Sequence, residues 1–295
     1  MLLRTMGMAD VTCIADVHAV LGEGPVWVAR EAALYWLDIK GLKIFRLSGQ
    51  GERSEWPTPM RVGSIAPRKS GGFIAGTEDG IAIVDPASNR FEIVARPEQD
   101  LPGNRFNDGK VDRRGRFWAG TMDDEEKAAS GTLYCVDADL GCTAVDSGYK
   151  VTNGPAFSPS GDVMYHNDSA RQVTYAFDMD AGGNAANRRT FLQFGPGDGY
   201  PDGMTVDSEG CLWIAFWGGW CIRRYSPDGE WVETIKMPVQ RPTSCAFGGR
   251  DLERLYVTSA SIGLDEEALQ MQPNAGGLFM LEPGVRGLAD VPFDG

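Results

Sequence analysis

Residues 153–180 read NGPAFSPSGDVMYHNDSARQVTYAFDMD and residues 202–229 read DGMTVDSEGCLWIAFWGGWCIRRYSPDG. Both run through a short strand, a polar turn, an apolar strand, a second turn and a strand ending in Asp or Ser, so they are two copies of one unit. Weaker copies begin at Gly24 (GPVWVAREAALYWLDIKGLKIFRLS), Gly63 (GSIAPRKSGGFIAGTEDGIAIVDPAS), Asn107 (NDGKVDRRGRFWAG) and Ser244 (SCAFGGRDLERLYVTSAS). Taken from positions 23, 63, 107, 153, 202 and 244, the starts are 40, 44, 46, 49 and 42 residues apart. That spacing suits a four-stranded propeller blade, with an outer strand after each copy, such as RFEIVAR from Arg90, RRTFLQF from Arg188 and WVETIKMP from Trp231.

The expected fold is therefore all-β: one six-bladed β-propeller domain over residues 1–295. A strand at Val11 (VTCIADV) has no local partner and is expected to close the ring by joining the last blade. A solenoid would need polar capping repeats, which are not seen, and a β-sandwich would not space its strands so regularly.

Composition agrees: 42% hydrophobic residues, 38 Gly and 17 Pro suit many short strands and tight turns around a large core. The formal charge of −13 disfavours nucleic acid and anionic membrane surfaces as partners. Six cysteines without a C-x-x-C pair read as buried free thiols in a cytoplasmic protein. The start, MLLRTMGMAD, is too short and too interrupted for a signal-peptide core. The sequon Asn167-Asp168-Ser169 falls in an expected strand and reads as a chance match.

In a propeller the first strand of every blade lines the central channel, so residues just before equivalent inner strands converge at one end of the axis, and repeat register becomes proximity. One register holds Glu23, Asn107, Asn153 and Asp202, each followed closely by a glycine. Gly24, Gly109, Gly154 and Gly203 have a packing reason, because backbones crowd toward the axis. Each Asn or Asp alone is ordinary turn chemistry. In phase, with Glu23 a poor turn former among them, they read as ligands of one divalent cation at the channel mouth, which would relieve the repulsion of clustered carboxylates. Oxygen donors suit Ca²⁺, Mg²⁺ or Mn²⁺, and Zn²⁺ and Fe²⁺ also accept carboxylates.

GNRFNDGKVD, AGTM, TNGPA, YPDGM and the terminal AGGLFML resemble the SMP-30/regucalcin/gluconolactonase family over nearly the whole chain from about Glu23. The resemblance implies metal ligation by Glu23, Asn153 and Asp202, sugar binding by Arg105, Asn107 and Glu125, and metal-dependent hydrolysis of a sugar lactone. After AGTM the chain reads DDEEKAAS, so Asp124 or Glu126 competes with Glu125 for its role. FWGGW from Phe216 places Trp217 either as a sugar platform or as a buried propeller aromatic.

Arg105 is expected on a surface loop reaching the mouth, and Asn107 within reach of either sugar or ion. His18 and His166 form no H-x-x-x-H or triad pattern and read as structural or peripheral, and no G-x-S-x-G elbow is present. Asp202 is expected to act as general base, or only to orient a water that the cation activates. The competing readings are a non-catalytic calcium-binding regulator, a phosphotriesterase on the same scaffold, and a propeller used only as an interaction platform.

Overall fold

A computed structural model describes residues 10–295. Its strands form six four-stranded antiparallel sheets, one per sequence repeat. The inner strands are Gly22–Val28, Val62–Pro67, Asn104–Val111, Thr152–Phe157, Tyr200–Val206 and Pro242–Gly248, opening blades 1 to 6 in that order. The expected outer strands are also present, as Arg90–Ala95 in blade 2, Ala185–Gln193 in blade 4 and Trp231–Lys236 in blade 5.

Burial explains the composition of each layer. Val62–Pro67, Thr152–Phe157 and Pro242–Gly248 are buried at every position, so they cannot alternate apolar and polar residues as a half-exposed strand does. The outermost strand of blade 1, Arg53–Pro57, alternates exposed and half-buried residues and carries its charges outward. Apolar side chains pack between neighbouring blades: Leu37 and Ile44 of blade 1 meet Ile65 and Phe73 of blade 2, and Trp213 of blade 5 meets Cys245, Phe247 and Val257 of blade 6.

Two blades share a buried polar joint. VDRRGRFW and VDSEGCLW place Asp112 and Asp207 six residues before Trp118 and Trp213. Each carboxylate accepts its own indole N–H, at 2.9 and 2.8 Å, and also pairs with Arg116 or Arg224. In four blades an Asp or Ser at or just after the end of the third strand caps the turn to the outer strand: Ser48, Asp85, Asp180 and Ser226 all accept turn N–H groups.

The ring closes as expected. Thr12–Ala15 pairs antiparallel with Leu278–Leu281, Thr12 opposite Met280 and Cys13 opposite Phe279, so the N-terminal strand supplies the outer edge of blade 6. All six cysteines are free, four of them buried. No helix among the described residues is long and apolar enough to cross a membrane. The MLLRTMGMA segment lies outside the described residues.

Candidate active site

The four in-phase donors sit inside the inner strands rather than just before them. At each, the strand carries one extra residue relative to its partner. The register skips between Glu23 and Val26, Phe106 and Gly109, Asn153 and Ala156, and Pro201 and Met204. A bulge re-aims a side chain that regular alternation would send into the sheet. Gly203 is needed for space, since a Cβ there would run into Ser244 of blade 6. Gly154 has φ +83°, a conformation glycine adopts freely.

Loops entering these strands are tied down from the neighbouring strand. Asp38 accepts the N–H groups of Val20 and Leu21, and Asp168 those of Lys150 and Val151. The apparent sequon is part of this framework. Asn167 donates to the Asp202 carbonyl at 2.7 Å, and Ser169 accepts from the Asn153 amide at 2.8 Å while donating to the Pro201 carbonyl. All three sequon residues are buried and engaged, which leaves no acceptor free for a glycan.

The result is a cavity of about 630 Å³ lined by Glu23, Arg105, Asn107, Asn153, Asp202 and Trp217, together with Asp124 and Glu126. Its size is that of a small-molecule site. Glu23, Asn153 and Asp202 are 6%, 3% and 7% exposed.

Burial, joined by the charge of Asp108, pushes Glu23 up to about 8. Asp202 is driven well above the carboxylate range by burial and then by Glu23 and Asp108. Asp108 itself rises to about 6, chiefly through burial, against two backbone N–H groups and Lys110. Among the described residues neither Glu23 nor Asp202 receives a side-chain hydrogen bond on its carboxylate; the neighbouring Gly24 and Gly203 N–H groups are their support.

A divalent cation fits this donor set. Two buried carboxylates lack a compensating side chain, and the amide oxygen of Asn153, whose mapped partner is Asn107 at 3.0 Å, has a second lone pair. No three His, Cys, Asp or Glu side chains gather as a metal cluster among the described residues, and Asp108 lines a neighbouring cavity rather than this one. Its carboxylate is spent on the N–H groups of Gly109 and Gly154, both at 2.8 Å.

Arg105 is not on a surface loop: it lies in the inner strand of blade 3 with its side chain 6% exposed. Its guanidinium donates to Asn107 Oδ1 at 2.7 Å and to Asp124 at 2.6 Å, and Asn107 passes the chain on to Asn153. Burial works against the charge of Asp124, but hydrogen bonds from Arg105, Lys40 and Arg61 outweigh it and hold the group well below the usual carboxylate range. The structure does not bring Glu125 to the cavity. Its side chain is 70% exposed and pairs with Lys127, because the turn after Asp123 points alternate residues inward and outward. Asp124 and Glu126 face the cavity instead.

Trp217 is half-buried on the cavity wall, with the Arg241 guanidinium 5.0 Å from its ring centroid. His18 is exposed. His166 is fully buried, packs tilted against the Tyr149 ring at 4.8 Å, and is pushed down to about 3 by burial with neither ring nitrogen partnered. Sequence reasoning missed Asp108, although it is the residue after Asn107 in RFNDG, because the repeat register pointed only to its neighbour.

Residues 21–261 match the family described as SMP-30/Gluconolactonase/LRE-like region. The chain belongs to this family. It is 38% identical to 6-deoxy-6-sulfogluconolactonase of Pseudomonas putida, over 96% of this chain and 98% of that protein. It is 37% identical to L-arabinolactonase of Azospirillum brasilense, over 97% and 96%. The solved structure of a calcium-binding protein, regucalcin, from Agrobacterium tumefaciens superposes with a TM-score of 0.90 at 28% identity, covering 97% of each chain. These likenesses bear out the family resemblance and the propeller ring read from the repeats.

Proposed function

We propose that this lactone-hydrolysing enzyme opens an aldonolactone to its aldonic acid by water attack, with one divalent cation held by Glu23, Asn153 and Asp202. The observation that carries the reading is a pair of buried, side-chain-unsupported carboxylates beside an amide oxygen, on the wall of the cavity that Arg105 and Asn107 also line. When bound, the cation supplies a Lewis acid for the lactone carbonyl, where negative charge builds in the transition state. Asp202 is the proton acceptor or orienting group for the attacking water. Arg105, locked to Asn107 Oδ1 at 2.7 Å, presents its remaining N–H groups to hydroxyls or to the ring oxygen, while Asn107, whose amide N–H groups are held by the Thr152 carbonyl and Asn153 Oδ1, keeps that guanidinium in place. Asp124 keeps Arg105 aimed, and Asn167 and Ser169 keep Asp202 and Asn153 in place. The two lactonase relatives support a sugar-lactone substrate.

The decisive experiment is a pH-stat assay over pentono- and hexonolactones after chelation and add-back of Ca²⁺, Mg²⁺, Mn²⁺, Zn²⁺ or Fe²⁺ singly. Turnover that vanishes on chelation and returns with one ion supports the reading. The all-oxygen donor set also suits a non-catalytic calcium-binding protein. Tight calcium binding with no lactone opened above background would put that reading in its place.

A further inference from the structure

Within an acidic chain, the cavity wall carries two cations that pair with no acid among the described residues. Four basic residues line it: Lys40, Arg105, Lys150 and Arg241. Lys40 and Arg105 are committed to Asp124, at 3.0 and 2.6 Å. Lys150 and Arg241 make no ion pair among the described residues. The Arg241 guanidinium donates to the Gly263 carbonyl at 3.3 Å and lies over Trp217, and no hydrogen bond from the Lys150 ammonium is seen. Arg241 is half-buried, and burial lowers its pKa with no acid acting in the opposite sense. Folding has thus partly desolvated a cation and left it to be matched from outside.

Their placement is specific. Lys150 sits in the loop entering blade 4 and Arg241 in the loop entering blade 6, so they flank blade 5, whose Tyr200 and Trp217 line the wall between. The remaining unpaired acid of the cavity, Glu126, enters from blade 3, and its charge acts on Asp202, at the cation end. Resting on the lactonase reading, we propose that the substrate is an aldonolactone bearing an anionic substituent, a phosphate, sulfonate or carboxylate, remote from its carbonyl. Lys150 and Arg241 receive that group. The Arg241 guanidinium lies over the Trp217 ring at 5.0 Å, and its fork of N–H groups suits charge-assisted bonds to two oxygens of one anion.

The test compares kcat/KM for D-glucono-1,5-lactone, its 6-phosphate and glucarolactone on the metal-loaded enzyme, for wild type, Lys150→Gln and Arg241→Gln. Wild type should favour one anionic lactone over the neutral one by about tenfold or more, as one charge-assisted contact supplies. Each variant should reduce that ratio about tenfold, and added salt should reduce it in wild type only. A wild-type ratio at or below one, or a ratio unmoved by both substitutions, overturns the anion subsite while leaving the lactonase reading intact. If no lactone is opened at all, the lactonase reading fails. Calorimetry then decides the subsite: 6-phosphogluconate binding more tightly than gluconate, with the difference lost in Arg241→Gln, supports it, and equal binding overturns it.

Discussion

Glu23 and Asp202 are charges that the fold alone does not compensate, and two substitutions separate their roles. Glu23→Gln keeps the shape and one oxygen but removes the charge, so metal affinity measured by calorimetry should fall at least about tenfold; unchanged affinity would exclude Glu23 as a ligand. Asp202→Asn should keep the fold by circular dichroism and cut lactone turnover about a hundredfold or more, the scale of losing a positioned base. Arg105→Ala should abolish most turnover yet leave metal affinity within about threefold, because Arg105 reaches the ligands only through Asn107. Glu125→Ala should leave both within about twofold, since the side chain pairs with Lys127 in solvent.

The raised carboxyl of Glu23 also sets a pH signature. In the metal-free protein it titrates near 8, against an ordinary 4.5. The native state then holds a proton the unfolded chain has already released, so this group's stabilisation is complete below 4.5 and lost as pH rises toward 8. His166 acts oppositely, at lower pH: depressed to about 3 from 6.5, it costs stability as pH falls below 6.5. Melting in EDTA between pH 6.5 and 8.5 reads the raised carboxyls of Glu23 and Asp202 together, clear of His166, and the melting temperature should drop across that window. Saturating metal should flatten the drop, because it binds the ionised form.

At the scale of single elements, the bulged inner strand is the device that makes a site out of a repeat. The buried Asp-Trp-Arg joint is what holds blades 3 and 5 to one geometry. Asp207 accepts from Trp213 and Arg224, both at 2.8 Å, with the Trp213 ring fully buried. Asp207→Ala leaves the guanidinium of Arg224 with only Glu209 and Glu233 nearby and the indole N–H unpaired. Urea unfolding should register a loss of about 3 kcal/mol. A loss below about 1 kcal/mol would mean that the joint relaxes around the gap. These joints were not visible as repeats until the structure aligned them, because the spacing D-x-x-G-x-x-W recurs in two blades only, whereas blade 4 uses Ser158 at the same place.

For the whole molecule, stability rests on ring closure. The pairing of Thr12–Ala15 with Leu278–Leu281 joins residues some 265 positions apart, and Val11 and Cys13 pack on the blade 6 cluster. A chain beginning at residue 17 should therefore melt at least about 5 °C lower, the shift expected for two or three kcal/mol in a protein of this size. It should also expose the edge of Leu278–Leu281 to self-association, visible by light scattering. A truncated chain as stable and monodisperse as the full one would show that blade 6 closes without its fourth strand.

What the linear sequence determined was whatever repeats. A blade is a local unit of about 40 to 50 residues, so strand count, blade count, the spare strand at Val11 and the in-phase donors were all legible from spacing. Tertiary structure alone decided what depends on contacts between blades or on the direction of one side chain. Glu125 and Asp124 are adjacent in sequence, yet the turn sends one to solvent and the other to Lys40, Arg61 and Arg105. Asn167-Asp168-Ser169 matches a sequon as a string and becomes a buried clamp only because Asn153, Pro201 and Asp202 arrive from elsewhere in the ring. Arg105 looked like a loop charge because its partners lie 2 and 19 residues away along the chain, and a bulge was needed to aim them at one point. Periodicity fixes position along a strand, whereas the unpaired state of Lys150 and Arg241 depends on every acid that could have reached them, and only the folded ring determines that.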